Sequence, residues 1–121
     1  MEGKKTLVLG ASLNPDRASY AAIRRLLAAG HEVVAIGVHH GEIEGVPIQH
    51  GMPPLEDVHT ISLYLNPRRQ EEYYDYILNL KPRRIIFNPG TENRSLMELA
   101  REKGIFPEVA CNLVMLSLGT F

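Results

Sequence analysis

Thr6-Leu7-Val8-Leu9-Gly10-Ala11-Ser12, then Ser19-Tyr20-Ala21-Ala22-Ile23-Arg24-Arg25-Leu26-Leu27-Ala28-Ala29-Gly30, then Val33-Val34-Ala35-Ile36: these three runs decide the fold. The first is apolar at consecutive positions and is stopped by a glycine, too short for a helix. It reads as a strand, Thr6–Leu9, buried on both faces, as parallel sheets require. In the second, Tyr20, Ile23, Leu26 and Leu27 recur at helical spacing while Arg24 and Arg25 face away, which predicts a helix over Ser19–Ala29. Ser19 is its expected N-cap and Gly30 its left-handed terminator. The third run is a second strand. Strand, glycine turn, helix, glycine and strand in this order make one βαβ unit.

The alternation continues outward. Val38–Leu55, rich in Gly and Pro, reads as loop with one short extended piece at Val46–Gln49. A strand is expected at Thr60–Tyr64 and a helix over Arg69–Leu80, opened by Pro67 near its first position and ended by Pro82. Another strand follows at Arg84–Phe87, a turn at Asn88–Asn93 and a helix over Ser95–Lys103. A short strand centres on Val109-Ala110, and Leu113–Leu118 reads as a short helix. Strands alternating with helices imply an α/β three-layer sandwich, expected as a five-stranded, doubly wound parallel sheet in the order 3-2-1-4-5. All of it forms one domain over residues 1–121.

Composition bounds the possible roles. The 121 residues, 45% hydrophobic, can bury roughly 65% of their unfolded surface, enough for one core without a metal or disulfide staple. Thirteen Lys plus Arg against fourteen Asp plus Glu give a net charge of -1, so nothing draws the chain to nucleic acid or an anionic membrane. No apolar run approaches the ~20 residues of a membrane span. The few apolar or small residues before Ser12 are too short for a signal-peptide core. A cytoplasmic location is therefore expected. Cys111 stands alone, so neither an internal disulfide nor a cysteine metal cluster forms, and no metal is expected at the adjacent pair His39 and His40.

In open α/β sheets ligands sit beyond the carboxyl ends of the strands where the order reverses. With the order above, that crevice lies between the first strand and Arg84–Phe87. Gly10-Ala11-Ser12 occupies the position that cradles phosphate: glycine permits the sharp turn, free N–H groups open the helix, and Ser12 adds a hydroxyl. Arg17, with Arg24 as a second source, supplies positive charge. The dinucleotide fingerprint G-x-G-x-x-G is not met, because Ser12 and Pro15 stand where glycines belong. After the second strand, Gly37, Val38, His39 and His40 hold no carboxylate for a ribose, which disfavours NAD and suits a phosphorylated ribose. Asn88, Pro89, Gly90 and Thr91 form the opposite wall, with Asn88 opening into the crevice or bracing the neighbouring loop. Thr91 or Asn93 caps the following helix. Glu92 is the one carboxylate directed toward the site. A single Glu without a nucleophile or metal does not make a catalytic constellation, so no catalytic residue is assigned.

The run Gly10-Ala11-Ser12, Asn14-Pro15-Asp16-Arg17-Ala18-Ser19-Tyr20 and Gly30-His31-Glu32-Val33 resembles the opening of the stand-alone CoA-binding proteins. Ile43-Glu44-Gly45, Pro67, Phe87-Asn88-Pro89-Gly90-Thr91 and Cys111 agree with it, so the likeness spans nearly the whole chain. These proteins are similar to the CoA-binding domain of the succinyl-CoA synthetase alpha subunit. The resemblance implies a Rossmann-like domain holding coenzyme A or an acyl-CoA near Gly10, Ala11, Ser12, Arg17, Ser19 and Tyr20. It also implies that adenine and the phosphorylated ribose reach Val38, His39 and His40. There the family often carries a Val-Asn-Pro segment instead, and Asn88 stands where many relatives have Gln. In the synthetases a phosphohistidine on a following domain does the chemistry. This sequence holds no such domain, so binding without catalysis is expected, with a homodimer or a separately encoded enzyme as partner. Two other readings stay open on the residues: an NAD(P)-binding oxidoreductase or regulator, and a protein-interaction module with a vestigial nucleotide site, whose best feature is Tyr73 and Tyr74.

Overall fold

A computed structural model describes residues 3–121. In chain order the elements are β1 (Thr6–Ala11), α1 (Ala18–Ala28), β2 (Val33–Gly37), β3 (Glu42–Ile43), β4 (Val46–Gln49) and β5 (Thr60–Leu63). Then come α2 (Pro67–Gln70), a 3-10 turn at Glu71–Tyr73, α3 (Tyr74–Leu80), β6 (Arg84–Phe87), α4 (Arg94–Glu102), β7 (Phe106–Val109) and α5 (Asn112–Leu118). Leu7 and Leu9 of β1 pack into one core and Val8 into the other, so β1 has no face toward solvent. Such a strand needs a neighbour on each edge and cover on both faces. β2 and β5 are the neighbours, both parallel to β1. Ile23 and Leu26 of α1 and Met115 of α5 cover the Val8 face. Ile77 of α3 with Leu96 and Ala100 of α4 cover the other.

The α/β sandwich with helices on both faces is the expected class. The sheet, however, has seven strands in the order β3-β4-β2-β1-β5-β6-β7, not five in the order 3-2-1-4-5. Two changes account for the difference. Val46–Gln49, expected only as an extended piece, is a strand parallel to β2 and occupies the place assigned to Thr60–Tyr64. The Thr60 strand lies instead on the far side of β1, between β1 and β6. Four residues interrupted by Pro47 mark β4 faintly, yet Val46 and Ile48 are both buried, which fixes its register. No helix connects β4 to β5. Residues 50–59 cross the face themselves, with Val58 buried in the core and the Tyr76 hydroxyl donating to the Pro53 carbonyl at 2.6 Å.

Helix ends follow local chemistry. Gly30 (φ 88°) closes α1 in a Schellman motif: its N–H donates to Leu27 O and that of His31 to Leu26 O, each at 3.0 Å. The N-cap is Arg17, not Ser19, which is buried inside the first turn. Asn66 caps α2 by accepting from Arg69 N at 2.9 Å, with Pro67 at the first helical position. The helix expected over Arg69–Leu80 starts earlier, at Pro67, and is interrupted by the 3-10 turn before Lys81 (φ 51°) ends it. Asn93 caps α4 by accepting from Leu96 N at 3.2 Å. At the β7 edge, Phe106 N and Ala110 N donate inward to Arg83 and Phe87. Positions 107 and 109 therefore face outward, and Pro107 has no N–H to offer there. No helix among the described residues is long and apolar enough to cross a membrane.

A basic cluster gathers at the amino ends of the strands. Lys4 N donates to Nδ1 of His31 at 2.8 Å, which requires that nitrogen to be unprotonated. Arg84 stacks 4.3 Å from the centre of the Phe121 ring and donates to Thr60 Oγ1. Burial, then the charges of Lys4 and Arg84, lower the pKa of His31 from 6.5. Burial, then chiefly Arg84 and Lys4, does the same to His59. Both imidazoles bind protons less readily when folded, so their contribution to stability is full above pH 6.5 and fades as pH falls through their lowered values. The melting temperature should therefore drop on acidification below that point. A His31→Gln, His59→Gln double variant should lose part of this slope in pH-dependent thermal denaturation; an unchanged slope would refute the assignment.

Candidate functional site

The sheet order moves the crevice. It opens where α1 leaves β1 toward one face and the β5–α2 connection leaves toward the other, between β1 and β5 rather than beside β6. The cavity holds about 450 Å³. Its floor is the end of β1. Gly10 adopts φ 101°, and β1 slips its register against β2 between Leu9 and Ala11. A Cβ on Gly10 would stand 3.0 Å from the Tyr64 carbonyl carbon and 3.1 Å from Leu65 N. A Cβ on Gly37 would stand 2.4 Å from Ala11 O. Glycine at both places lets three backbones converge under the cavity.

The turn from β1 to α1 is held by its own polar groups. Ser12 Oγ accepts from Asn14 N at 3.1 Å, Asn14 Oδ1 accepts from Asp16 N at 2.9 Å, and Arg17 N donates to Asn14 O at 3.0 Å. The Ser12 hydroxyl proton stays free for a ligand. Ala18 and Ser19, at the first two helical positions, line the crevice. Their N–H groups have no intrahelical acceptor, because the first bonds run from Tyr20 N and Ala21 N to Arg17 O. A helix start with free N–H groups favours an anion.

Of the residues expected from sequence, Gly10, Ala11, Ser12, Arg17 and Ser19 meet in this cavity with Val38, His39 and Pro89. The others do not line it. Tyr20 belongs to a separate hollow with Pro15, Arg24 and Glu44, where Arg24 is paired to Glu44 at 3.1 Å and so supplies no charge to the crevice. His40 stacks against His50, their ring centres 4.2 Å apart. Asn88 is buried, and its side chain braces rather than opens into the crevice. It donates to Ser62 Oγ (2.9 Å) and Leu63 O (2.8 Å) and accepts from Asn112 N (2.8 Å). The Thr91 hydroxyl donates back to Asn88 O at 2.7 Å. Gly90 N donates to Glu92 at 2.8 Å, so that carboxylate holds its own turn.

Residues from the β5–α2 connection, α2 and the 3-10 turn, absent from the sequence-based site, complete the wall: Tyr64, Leu65, Arg69 and Tyr73. They become visible once Thr60–Leu63 is set beside β1, since the residues just past a central strand face the ligand. Arg17 and Arg69 are both exposed and form no ion pair among the described residues. No Asp or Glu lines the cavity. Two guanidinium groups, a helix start and no carboxylate suit a ligand with several negative charges. Burial pushes the Tyr64 hydroxyl up to about 12; the neighbouring Ser62 offsets part of the rise and Cys111 adds to it. That hydroxyl therefore stays protonated. Tyr74 is tied to Asn93 at 2.8 Å and Tyr73 lies edge-on to Tyr76, so these rings are held within the fold. Cys111 is half-buried at the N-cap of α5.

The family described as CoA binding domain matches residues 4–117. A crystal structure of an uncharacterized protein, 50% identical, superposes with a TM-score of 0.96 over 100% of both chains. A Thermus thermophilus protein (20% identity, TM-score 0.86) is covered over 98% of this chain and 91% of its own. A hypothetical protein from Pyrococcus horikoshii (21%, 0.85) is covered over 96% and 83%. These last two show the fold alone. No curated protein matches the chain.

Gly10→Ala should lower stability by about 1–3 kcal/mol, the scale of a non-glycine residue held at positive φ, and should push the β1 turn away from the Tyr64–Leu65 backbone. Chemical denaturation measures the first effect; an unchanged midpoint would show that the turn does not need glycine.

Proposed function

Since the chain belongs to the family of CoA binding domains, we propose that it binds coenzyme A or an acyl-CoA in the crevice between β1 and β5. The observation that carries this is the pairing of free N–H groups at the start of α1 with Arg17 and Arg69 in a cavity without carboxylates. The diphosphate lies over Gly10, Ala11 and Ser12, receiving N–H bonds from Ala18 and Ser19 and a charged fork from Arg17. The adenosine and its 3′-phosphate extend over β2 toward Val38 and His39, with His40 beyond. The pantetheine arm runs the other way, over Tyr64, Leu65 and Pro89. Arg69, opposite Arg17, closes the anion site from the α2 side.

The role is binding without turnover by this chain alone. Among the described residues no hydrogen bond joins the Ser12 hydroxyl to the His39 imidazole as nucleophile to base, and the one thiol, Cys111, is not a lining residue. A carrier, a sensor, or a subunit serving a separate enzyme or a second copy fits these residues. The His39 imidazole at the end of β2 also suits the phosphate of NADP, which makes that cofactor the natural competitor.

Calorimetric titration with CoA, acetyl-CoA, NAD and NADP on one sample tests the reading. CoA and acetyl-CoA are expected to bind and NAD not to; preference for NADP over both CoA species would transfer the site to a nicotinamide cofactor. Arg17→Ala should cost about 1.5–3 kcal/mol of CoA binding, the scale of a hydrogen bond to a charged group. Equal affinity in the variant would remove Arg17 from the site.

A further inference from the structure

Among the described residues, Phe106, Val114 and Leu118 are large apolar side chains left 60%, 52% and 70% exposed. They share one face. In the sheet register Phe106 lies beside Arg84 and Glu108 beside Ile86. Ile86 packs in the core with Met115 of α5, so Phe106 and Glu108 project on the α5 side of β7. On α5 itself, Leu116 packs against that core and Ser117 Oγ accepts from Arg25 of α1 at 2.7 Å. Val114 and Leu118, four residues apart, therefore form a ridge on the flank turned away from α1 and toward β7. Helices normally cover both faces of a largely parallel sheet. Here α1 lies over β1 and β2 and α5 over β6, while β7, next in order, keeps Phe106 bare. The face also lacks free charge. Residues 112–121 contain no Asp, Glu, Lys or Arg, and Glu108 is paired with Arg84 at 3.7 Å. Apolar side chains without free charge are the composition of an interface centre.

We infer that this face docks a second copy of the chain across a two-fold axis, the Val114–Leu118 ridge of each α5 lying over the bare β7 face of the other. A two-fold contact requires a surface that complements itself. This one holds both parts: a helix ridge without cover and a strand face without a helix. With Glu108 already paired, the face meets its copy without like-charge repulsion. Joining β7 edge to edge is closed by Pro107, which has no N–H to give. The three side chains leave roughly 300 Å² of apolar surface in water, enough to mark a contact. Two copies contribute about twice that, short of the ~900 Å² apolar part of a full-size interface, so the pair is a reversible one. Phe106 stands at the amino end of β7 and the crevice opens at the carboxyl ends of the strands, so the dimer leaves ligand entry free.

Sedimentation velocity of the wild type from about 1 to about 500 μM should show a monomer–dimer equilibrium with a dissociation constant on the order of 10 μM. A monomer throughout would overturn the inference. Leu118→Glu and Phe106→Lys should each weaken the dimer at least about tenfold, the loss expected of a central apolar contact. An equilibrium untouched by either change would put the contact elsewhere and sink this one. Mixing the two variants should restore dimers, because the introduced carboxylate of one chain faces the introduced ammonium of the other while the second contact stays native. A mixture that associates no better than its components would refute the reciprocal arrangement. Should a variant fail to fold, hydroxyl-radical footprinting of the wild type decides. Phe106 and Leu118 should lose reactivity between the low and the high concentration, and unchanged reactivity at both would rule the face out.

Discussion

Three stretches of backbone meet under the crevice, and they can do so only because two of the residues there lack a side chain. Gly10 turns with positive φ against the Tyr64–Leu65 backbone, and Gly37 presses against the Ala11 carbonyl. These approaches bring the ends of β2, β1 and β5 level with one another. From that common rim α1 departs to one face and α2 to the other, so the free N–H groups of α1, the hydroxyl of Ser12 and the guanidinium groups of Arg17 and Arg69 surround one volume. A methyl group at either glycine would push the strands apart and separate those donors. The charge chemistry of the site thus depends on steric permission at its base.

Much of the architecture was legible because it is written in local terms. Consecutive apolar residues marked β1 and β2, helical spacing marked α1, Gly30 marked its end, and Pro67 and Asn93 marked the starts of α2 and α4. Strand order was not legible, since it rests on pairings between distant segments. Thr60–Leu63 could have flanked β2 or β1 with equal local plausibility. Only the recognition that Val46–Gln49 is a strand settles the matter, and Pro47 obscures it. That one exchange explains which of the expected residues line the crevice and which do not. With β6 placed beside β1, the Asn88–Thr91 turn looked like the crevice wall. With β5 there, Asn88 and Thr91 become internal braces and Tyr64, Leu65, Arg69 and Tyr73 take the wall.

The Asn88 side chain shows how a polar residue at a strand end can serve the fold. Its three hydrogen bonds join β5, β6 and the start of α5. It fixes the height of the β5 end, which sets where Tyr64 stands in the crevice. The shape of the crevice on one side of the sheet is therefore set in part by an amide two strands away from β1.

The proline at position 107 has a bearing on how this chain keeps company. A guest strand laid along the β7 margin would find the Val109 amide hydrogen within that strand and a blank at the proline, too little to zip onto. At the opposite margin β3 already doubles back over β4. Pairs of molecules built by fusing their sheets end to end are thus discouraged at both borders, and any lasting association is left to the helical faces, where side chains rather than peptide groups choose the partner.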